Sequence, residues 1–397
     1  MNGTRWVLTL TVLVAPLLIA AQPAQAQTET VLYNFTGGTD GLSPTANLIR
    51  DGAGNFYGTT LQGGYLPCSG VGCGVVFELS PNGGGWNENV LYSFGGGKDG
   101  ANPFIAPVIF DKSGNLYGTT EFSGKHGFGV VYELRHSKKG WKDRTLYSFN
   151  FKNSFGHPAS GLVMDAQANL YGTTSEYQAT GGVFELAHSG TLWHEQAIYN
   201  APTSCGLTMD GSGNLYGTTN STVFELSPNG NGGWTATVLY TFTGAPEDGI
   251  SPWMAPVIDA AGNLYGTTYS GGATNNGTVY ELTPSKNAKG EVQWTEQILY
   301  SFAGGTDGAM PIGQPVLDGA GNIYGTTQKG GELDYGTVFE LVPIGGGVYQ
   351  EKILWSFHGT DGAGSMAGLI LDGTGTLYGT TPGGGLYGAG VVFALTP

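Results

Sequence analysis

Charge is scarce in this sequence. Lys and Arg number 15 and Asp and Glu 30, together 11% of 397 residues, for a net charge of −15. Such a deficit of basic residues excludes nucleic acid and anionic membrane as partners. Cations, basic proteins and neutral ligands remain compatible with it. The six histidines form no H-E-x-x-H or H-x-H set. There is no Gly-x-Ser-x-Gly elbow, and the Gly-rich run GVGCG opens no helix, so it makes no nucleotide loop. A Ser-His-Asp constellation is spatial and stays open at this level. Beyond the N-terminus no apolar run is long enough to span a membrane, and no sustained helical period occurs.

Cysteine is nearly absent, with three residues. Cys68 and Cys73 stand five positions apart in PCSGVGCG, and in an oxidising compartment this spacing reads as a small-loop disulfide. Half of a metal site is the other reading, but no second pair or His cluster completes it, so no metal ligands are assigned. Cys205 stands alone and is expected to be a buried thiol.

The N-terminus carries Arg5, an apolar run from Trp6 to Ala20 and an Ala24-Gln25-Ala26 site. This reads as a secretory signal peptide over residues 1–26, cleaved before Gln27. Loss of Arg5 takes the net charge to −16. The mature chain, residues 27–397, is expected to be exported to the extracellular space, cell surface or periplasm, with no membrane span.

What the chain has in abundance is glycine, 71 residues, and one decapeptide written seven times: 51–60, 111–120, 165–174, 210–219, 259–268, 318–327 and 372–381. Around each copy the text alternates apolar runs such as GVVFEL and VLYSF with Gly-rich segments, which read as strands and turns. In D-x-x-G-N the Asp accepts from turn amides and the Gly supplies the left-handed position of a tight hairpin. A calcium loop would need more oxygen ligands at alternate positions. Each unit holds four strands. The outermost starts at Trp86, Trp141, Trp193, Trp234, Trp294 or Tyr349, with one face buried. The third carries Glu78, Glu133, Glu185, Glu225, Glu281 or Glu340, replaced by Ala394 in the last copy. These glutamates are expected to be hydrogen-bonded to amides or Thr hydroxyls and not to form a catalytic ring.

Six intervals of about 54 residues separate Tyr57 from Tyr378. Seven four-stranded units point to an all-β, seven-bladed β-propeller of antiparallel strands in a single domain. The segment ETVLYNF at 29–35 is an outer strand with no inner ones before it. GVVFALTP at 390–397 is a third strand with no fourth. The N-terminal strand is therefore expected to close the last blade.

The unit DGxGNLYGTT…GG…GTVFEL…VLYSF, present across the mature chain, resembles the GloVer tandem-repeat family of exported bacterial proteins. The resemblance implies an exported propeller-like protein, often with a C-terminal sorting anchor, and no established activity. Here the sequence stops at Pro397 directly after the last blade strand, so release is expected in place of anchoring. D-x-x-G-N-L-Y also resembles, more weakly, the repeats of NHL-type propellers.

Propeller topology places the inter-blade connectors and the loops between second and third strands on one face, and this face varies. It carries Asp40, Asp99, Asp248, Asp307 and Asp361 in the connectors, with Phe104 and Trp253. The loops add His126, Tyr177, Tyr335 and Tyr387, beside Tyr65, Lys125, Glu332 and Asp334. Carboxylates that accept from hydroxyls, together with rings that stack on pyranose faces, suit a sugar. A cation or an extracellular protein would also fit, and each Asp-Gly could equally just make a turn. No cofactor is expected, with calcium left open. The function expected is a non-enzymatic binding scaffold; a polysaccharide lyase or hydrolase at the central funnel is the alternative, by analogy of fold.

Overall fold

The decapeptide closes a hairpin with nearly all of its polar atoms. Asp51 Oδ1 accepts from the backbone amides of Ala53 and Asn55, both at 2.9 Å. Its Oδ2 accepts from Asn55 Nδ2 at 2.8 Å and from the Tyr57 hydroxyl at 3.1 Å. Gly54 turns the chain at φ 91°, and Ala168 holds the same place in the third copy at φ 65°. A Cβ on Gly58 would lie 2.6 Å from the Phe77 ring, so only glycine admits that ring. The Thr59 hydroxyl donates to the Ala106 carbonyl of the next unit at 3.0 Å, and Thr60 to the Gln62 carbonyl of its own loop at 2.8 Å.

The computed structural model describes residues 27–65, 68–138, 140–150, 156–175, 181–190, 192–203 and 206–396. Residues 1–26, read from the sequence as a signal peptide, Tyr177 and Cys205 lie outside them. Seven four-stranded antiparallel sheets make a seven-bladed β-propeller. Blade 1 holds Ile49–Arg50, Phe56–Thr60, Val75–Pro81 and Trp86–Ser93, from the axis outward. Blades 2 to 6 repeat this order. Blade 7 takes Ile370–Leu371, Leu377–Thr381 and Val391–Thr396 from the C-terminal end and Thr28–Asn34 from the N-terminal end. Thr28 pairs with Thr396 and Asn34 with Val391, so the N-terminal strand closes the ring. Thr380 adds a hydrogen bond from blade 7 to the Ala46 carbonyl ahead of blade 1, at 3.1 Å.

Two details differ from the sequence reading. The innermost strand is two residues long in every blade. The outer strand does not keep one buried parity: Phe77 pairs with Val90 but Val76 with Tyr92, so Leu91 is an extra residue at a bulge and turns inward. The same shift recurs in the other blades, as between Val279 and Tyr280 in blade 5.

The core lies between blades. Leu79 and Phe77 of blade 1 pack with Phe35 and Val392 of blade 7, and aromatic edges meet repeatedly, as in Phe35 against Phe77 with centroids at 5.1 Å. The third-strand glutamates have a different partner from the one expected. The Tyr57 hydroxyl reaches Glu78 at 2.8 Å, Tyr117 reaches Glu133 at 2.9 Å, Tyr265 reaches Glu281 at 2.8 Å and Tyr324 reaches Glu340 at 3.0 Å. Tyrosine therefore bridges the hairpin Asp and the third-strand Glu. That link joins residues distant in the alphabet of the repeat, so it was not legible as a motif.

Candidate functional site

Connectors and second-to-third loops do share a face. Backbone bridges join Leu42 to Gln62, Ala101 to Phe122, Ala309 to Lys329 and Ala363 to Gly383. In blades 1, 2, 6 and 7 the loop hangs on the preceding connector through one amide: Gly64 on the Gly38 carbonyl, Gly124 on Gly97, Gly331 on Gly305 and Gly385 on Gly359, all at 2.8–2.9 Å. Six connectors among the described residues in turn donate to the segment of the blade before them, as Ser43 does to Ala389 at 3.0 Å.

The connector aspartates turn inward on their own connectors. Asp40 accepts from the Thr36 amide at 2.8 Å and the Tyr33 hydroxyl at 3.1 Å. Asp99 accepts from the amides of Gly95 and Gly97 and from Tyr92 at 3.0 Å. Asp248 holds the Thr243 amide at 2.7 Å and Tyr240 at 3.0 Å. Asp307 holds the Ala303 amide and Tyr300, the latter at 2.6 Å. Asp361 holds the His358 amide at 2.7 Å and Trp355 Nε1 at 3.0 Å. Asp40 and Asp248 are buried. These carboxylates fix the connector to the last ring of the outer strand, and that geometry is the turn reading. Among the described residues no group of three or more His, Cys, Asp or Glu is placed to hold a metal ion.

A second set of acids stands behind them, and sequence reasoning missed it. Glu29, Glu88, Asp143, Glu195, Glu296 and Glu351 occupy the same outer-strand position, two residues after the strand's Trp or Tyr in blades 1, 2, 3, 5 and 6, with Ala236 in blade 4. Each has one oxygen buried without a hydrogen-bond partner. Burial pushes the five glutamates up to about 7 and Asp143 up to about 6. The charge of the neighbouring connector aspartate adds to this for five of them: Asp361 on Glu29, Asp40 on Glu88, Asp99 on Asp143, Asp248 on Glu296 and Asp307 on Glu351. The signal was available, because Glu88 shares the buried parity of Trp86 and Val90.

The aromatic candidates separate into two places. Phe104 and Trp253 stand half-buried over Ile105, Ala159 and Met254, with Met366 against the same cluster. All come from connectors, so this cluster gathers four blades around the axis. Beneath it lies a cavity of about 150 Å³ lined by residues that include Asn47, Ile105, Met254 and Gln314. Gln314 Nε2 donates across the axis to Thr208 Oγ1 at 3.2 Å and to the Ala255 carbonyl at 3.0 Å. A wider cavity of about 590 Å³ opens beyond Gln314 toward the hairpin face, walled by innermost strands. Neither lining contains Asp, Glu or His.

The loop tips form the other place. Tyr335 and Tyr387 are exposed, as are Tyr65, Leu333 and Leu386. His126 is exposed beside Lys125 on the tip of blade 2. Cys68 and Cys73 are disulfide-bonded in the loop of blade 1, and Gly96 of the following connector lies against both sulfurs. Blade 4 has no loop here: the Thr219 amide donates straight to the Thr222 carbonyl at 2.9 Å.

A seven-bladed, all-β repeat protein with variable loops on one face is what these features define. The family model of the Gloeobacter/Verrucomicrobia repeat matches residues 68–222 and 288–397, and the chain belongs to that family. No curated protein matches the sequence. Among solved structures the chain is similar to a protein described as the extracellular domain of a hybrid two-component system from B. thetaiotaomicron, at TM-score 0.56 and 10% identity over 92% of this chain and 39% of that one. A second structure, described as the extracellular domain of a one-component system of the same organism, gives TM-score 0.52 and 9% identity over 88% and 38%. The chain thus spans well under half the length of either, and at this identity the likeness is one of fold. Among the described residues no helix is long and apolar enough to cross a membrane.

Proposed function

We propose that this chain is an exported, non-enzymatic binding propeller whose ligand lies on the connector-and-loop face, over the central cluster of Phe104, Trp253 and Met366. The observation that carries the reading is that cluster. Repetition accounts for the hairpins, the third-strand glutamates and the connector aspartates, all of which have partners inside the fold. Phe104 and Trp253 break the repeat and stand partly open at the axis. Apolar rings in a concave centre with a few amide groups beneath are what a binding site requires. A carbohydrate is the ligand class favoured, since rings stack on a pyranose face and Asn47 and Gln314 can pair with hydroxyls. Export rests on the N-terminal pattern of residues 1–26. The alternative reading, a polysaccharide lyase or hydrolase at the funnel, needs an acid and a base of unlike environment. The described residues that line the axial cavities offer none to support it.

The test is a thermal-shift screen of residues 27–397 against a glycan panel, repeated with Trp253→Ala. A bound glycan raises stability by RT ln(1 + [L]/Kd), about 2.7 kcal/mol at one hundred times Kd. A shift lost in Trp253→Ala supports the reading. Turnover of a glycan by the pure protein, or a ligand indifferent to Trp253, overturns it.

A further inference from the structure

The loop tips are ordered by chemistry around the ring. Blade 6 presents Glu332 and Asp334, both exposed. Blade 7 presents Leu386 and Tyr387, 72% and 58% exposed. Blade 1 presents Tyr65, 73% exposed, and Val71 on its disulfide loop. Blade 2 presents Lys125 and His126, exposed, with exposed Lys98 in the connector before them. The four tips form one continuous arc, because each is tied to the next connector. The Tyr335 ring lies against Gly359, and Gly359 accepts from Gly385. Leu386 donates to Asn34 Oδ1 at 2.7 Å, and Gly38 accepts from Gly64. Gly96 rests on the disulfide, and Gly97 accepts from Gly124.

From this arrangement we infer that the arc docks a second copy of the same chain, face to face, about a twofold axis that runs radially between blades 7 and 1. The inference rests on the reading of this face as a binding surface. Such an axis sets blade 1 of one copy against blade 7 of the other, and blade 2 against blade 6. Tyr65 and Val71 then meet Leu386 and Tyr387, and Lys125 meets Glu332, each contact occurring twice as an isologous interface demands. The charge order along the arc is acidic, apolar, basic, which is its own complement under that rotation. Within one copy Lys329 lies 3.8 Å from Asp334 and the His358 ring 3.6 Å from Glu332, so Glu332 is the carboxylate without a Lys or Arg partner at hand. In a seven-fold ring the same axis leaves through blade 4, whose loop is a tight turn. Apolar exposure supplies the affinity and the flanking charges set the register.

The test is sedimentation velocity of residues 27–397 from micromolar to millimolar concentration. The expected result is a monomer–dimer equilibrium weakened about tenfold or more by Lys125→Glu and by Glu332→Lys. The double variant Lys125→Glu/Glu332→Lys should restore it, since both sides of each contact are exchanged. Tyr387→Ser should weaken the dimer with no change in its charge dependence. These substitutions fall on exposed tips, and an unchanged circular dichroism spectrum confirms that each variant is folded. A monomer throughout the range overturns the inference, and so does a dimer that ignores both charge reversals. If the chain is monomeric while the glycan screen yields a Trp253-dependent ligand, the dimer fails and the binding reading stands. If both are silent, both fall.

Discussion

Arg50 Nη1 lies 3.2 Å from Asp372 Oδ2, 322 positions along the chain, where blade 1 meets blade 7. The guanidinium also stacks over the rings of Phe56 and Tyr378, at 5.3 and 5.4 Å. Every other blade has Phe110, Met164, Met209, Ile258, Leu317 or Leu371 at that position. The one charged residue of the set therefore marks the seam at which the ring closes.

The seam predicts an asymmetry between its partners. Arg50→Leu restores the residue type of the other blades and should cost less than about 1 kcal/mol, the range of a partly exposed pair. Asp372→Ala removes the hairpin acceptor for Thr374, Thr376 and Tyr378 as well, and should cost about 2 kcal/mol or more. Burial opposes ionisation of Asp372, but the bonds from Thr374, Thr376 and Tyr378 prevail and hold it down at about 2. Its contribution is present above pH 4 and disappears as pH falls toward 2. Urea titrations of the two variants at neutral and acid pH check both points.

The outer-strand acids predict the opposite slope at higher pH. Their folded values near 6 to 7 exceed those of free carboxyls. Their protonated forms stabilise the fold fully below about pH 4, and this is lost as pH rises through 7. The melting temperature should be higher at pH 5 than at pH 8.5. Glu88→Gln removes one such group and should flatten the profile by on the order of 1 kcal/mol, after discount for solvent screening. A profile unchanged by Glu88→Gln and Glu351→Gln together would refute the assignment.

Closure of blade 7 predicts that the N-terminal strand is required for folding. Deletion of residues 27–35 exposes Val391–Thr396 as an unpaired edge and removes Phe35 from its contact with Phe77. The shortened chain should be recovered as aggregate, or with melting lowered by about 6 °C if the loss is about 5 kcal/mol. A normally folded truncation would mean that the ring holds with three strands in its last blade.

The disulfide predicts a local effect. It closes a short loop, worth about 2 kcal/mol in the chain-entropy description. Reduction, or Cys68→Ser with Cys73→Ser, should lower the melting temperature by a few degrees and leave the far-ultraviolet circular dichroism unchanged. If the arc docks a second copy, the same change should also weaken the dimer, because Tyr65 and Val71 lose their fixed loop.

The sequence by itself determined the architecture. Asp51, Gly54, Asn55 and Tyr57 lie within seven positions, and a hairpin is a local object, so its chemistry can be read from spacing alone. Seven copies at one period then leave few folds that bury every blade on both faces, and the orphan strands at 29–35 and 390–397 name their own partner. What only the tertiary structure decided are relations between blades. The aspartates of the connectors face Tyr and Trp of the preceding strand. Glu88 and its equivalents sit behind the connector of another blade. Phe104 and Trp253, far apart in sequence, meet at the axis. Burial and electrostatic coupling of this kind depend on which blades are neighbours and how closely they pack, and no periodicity along the chain encodes those distances.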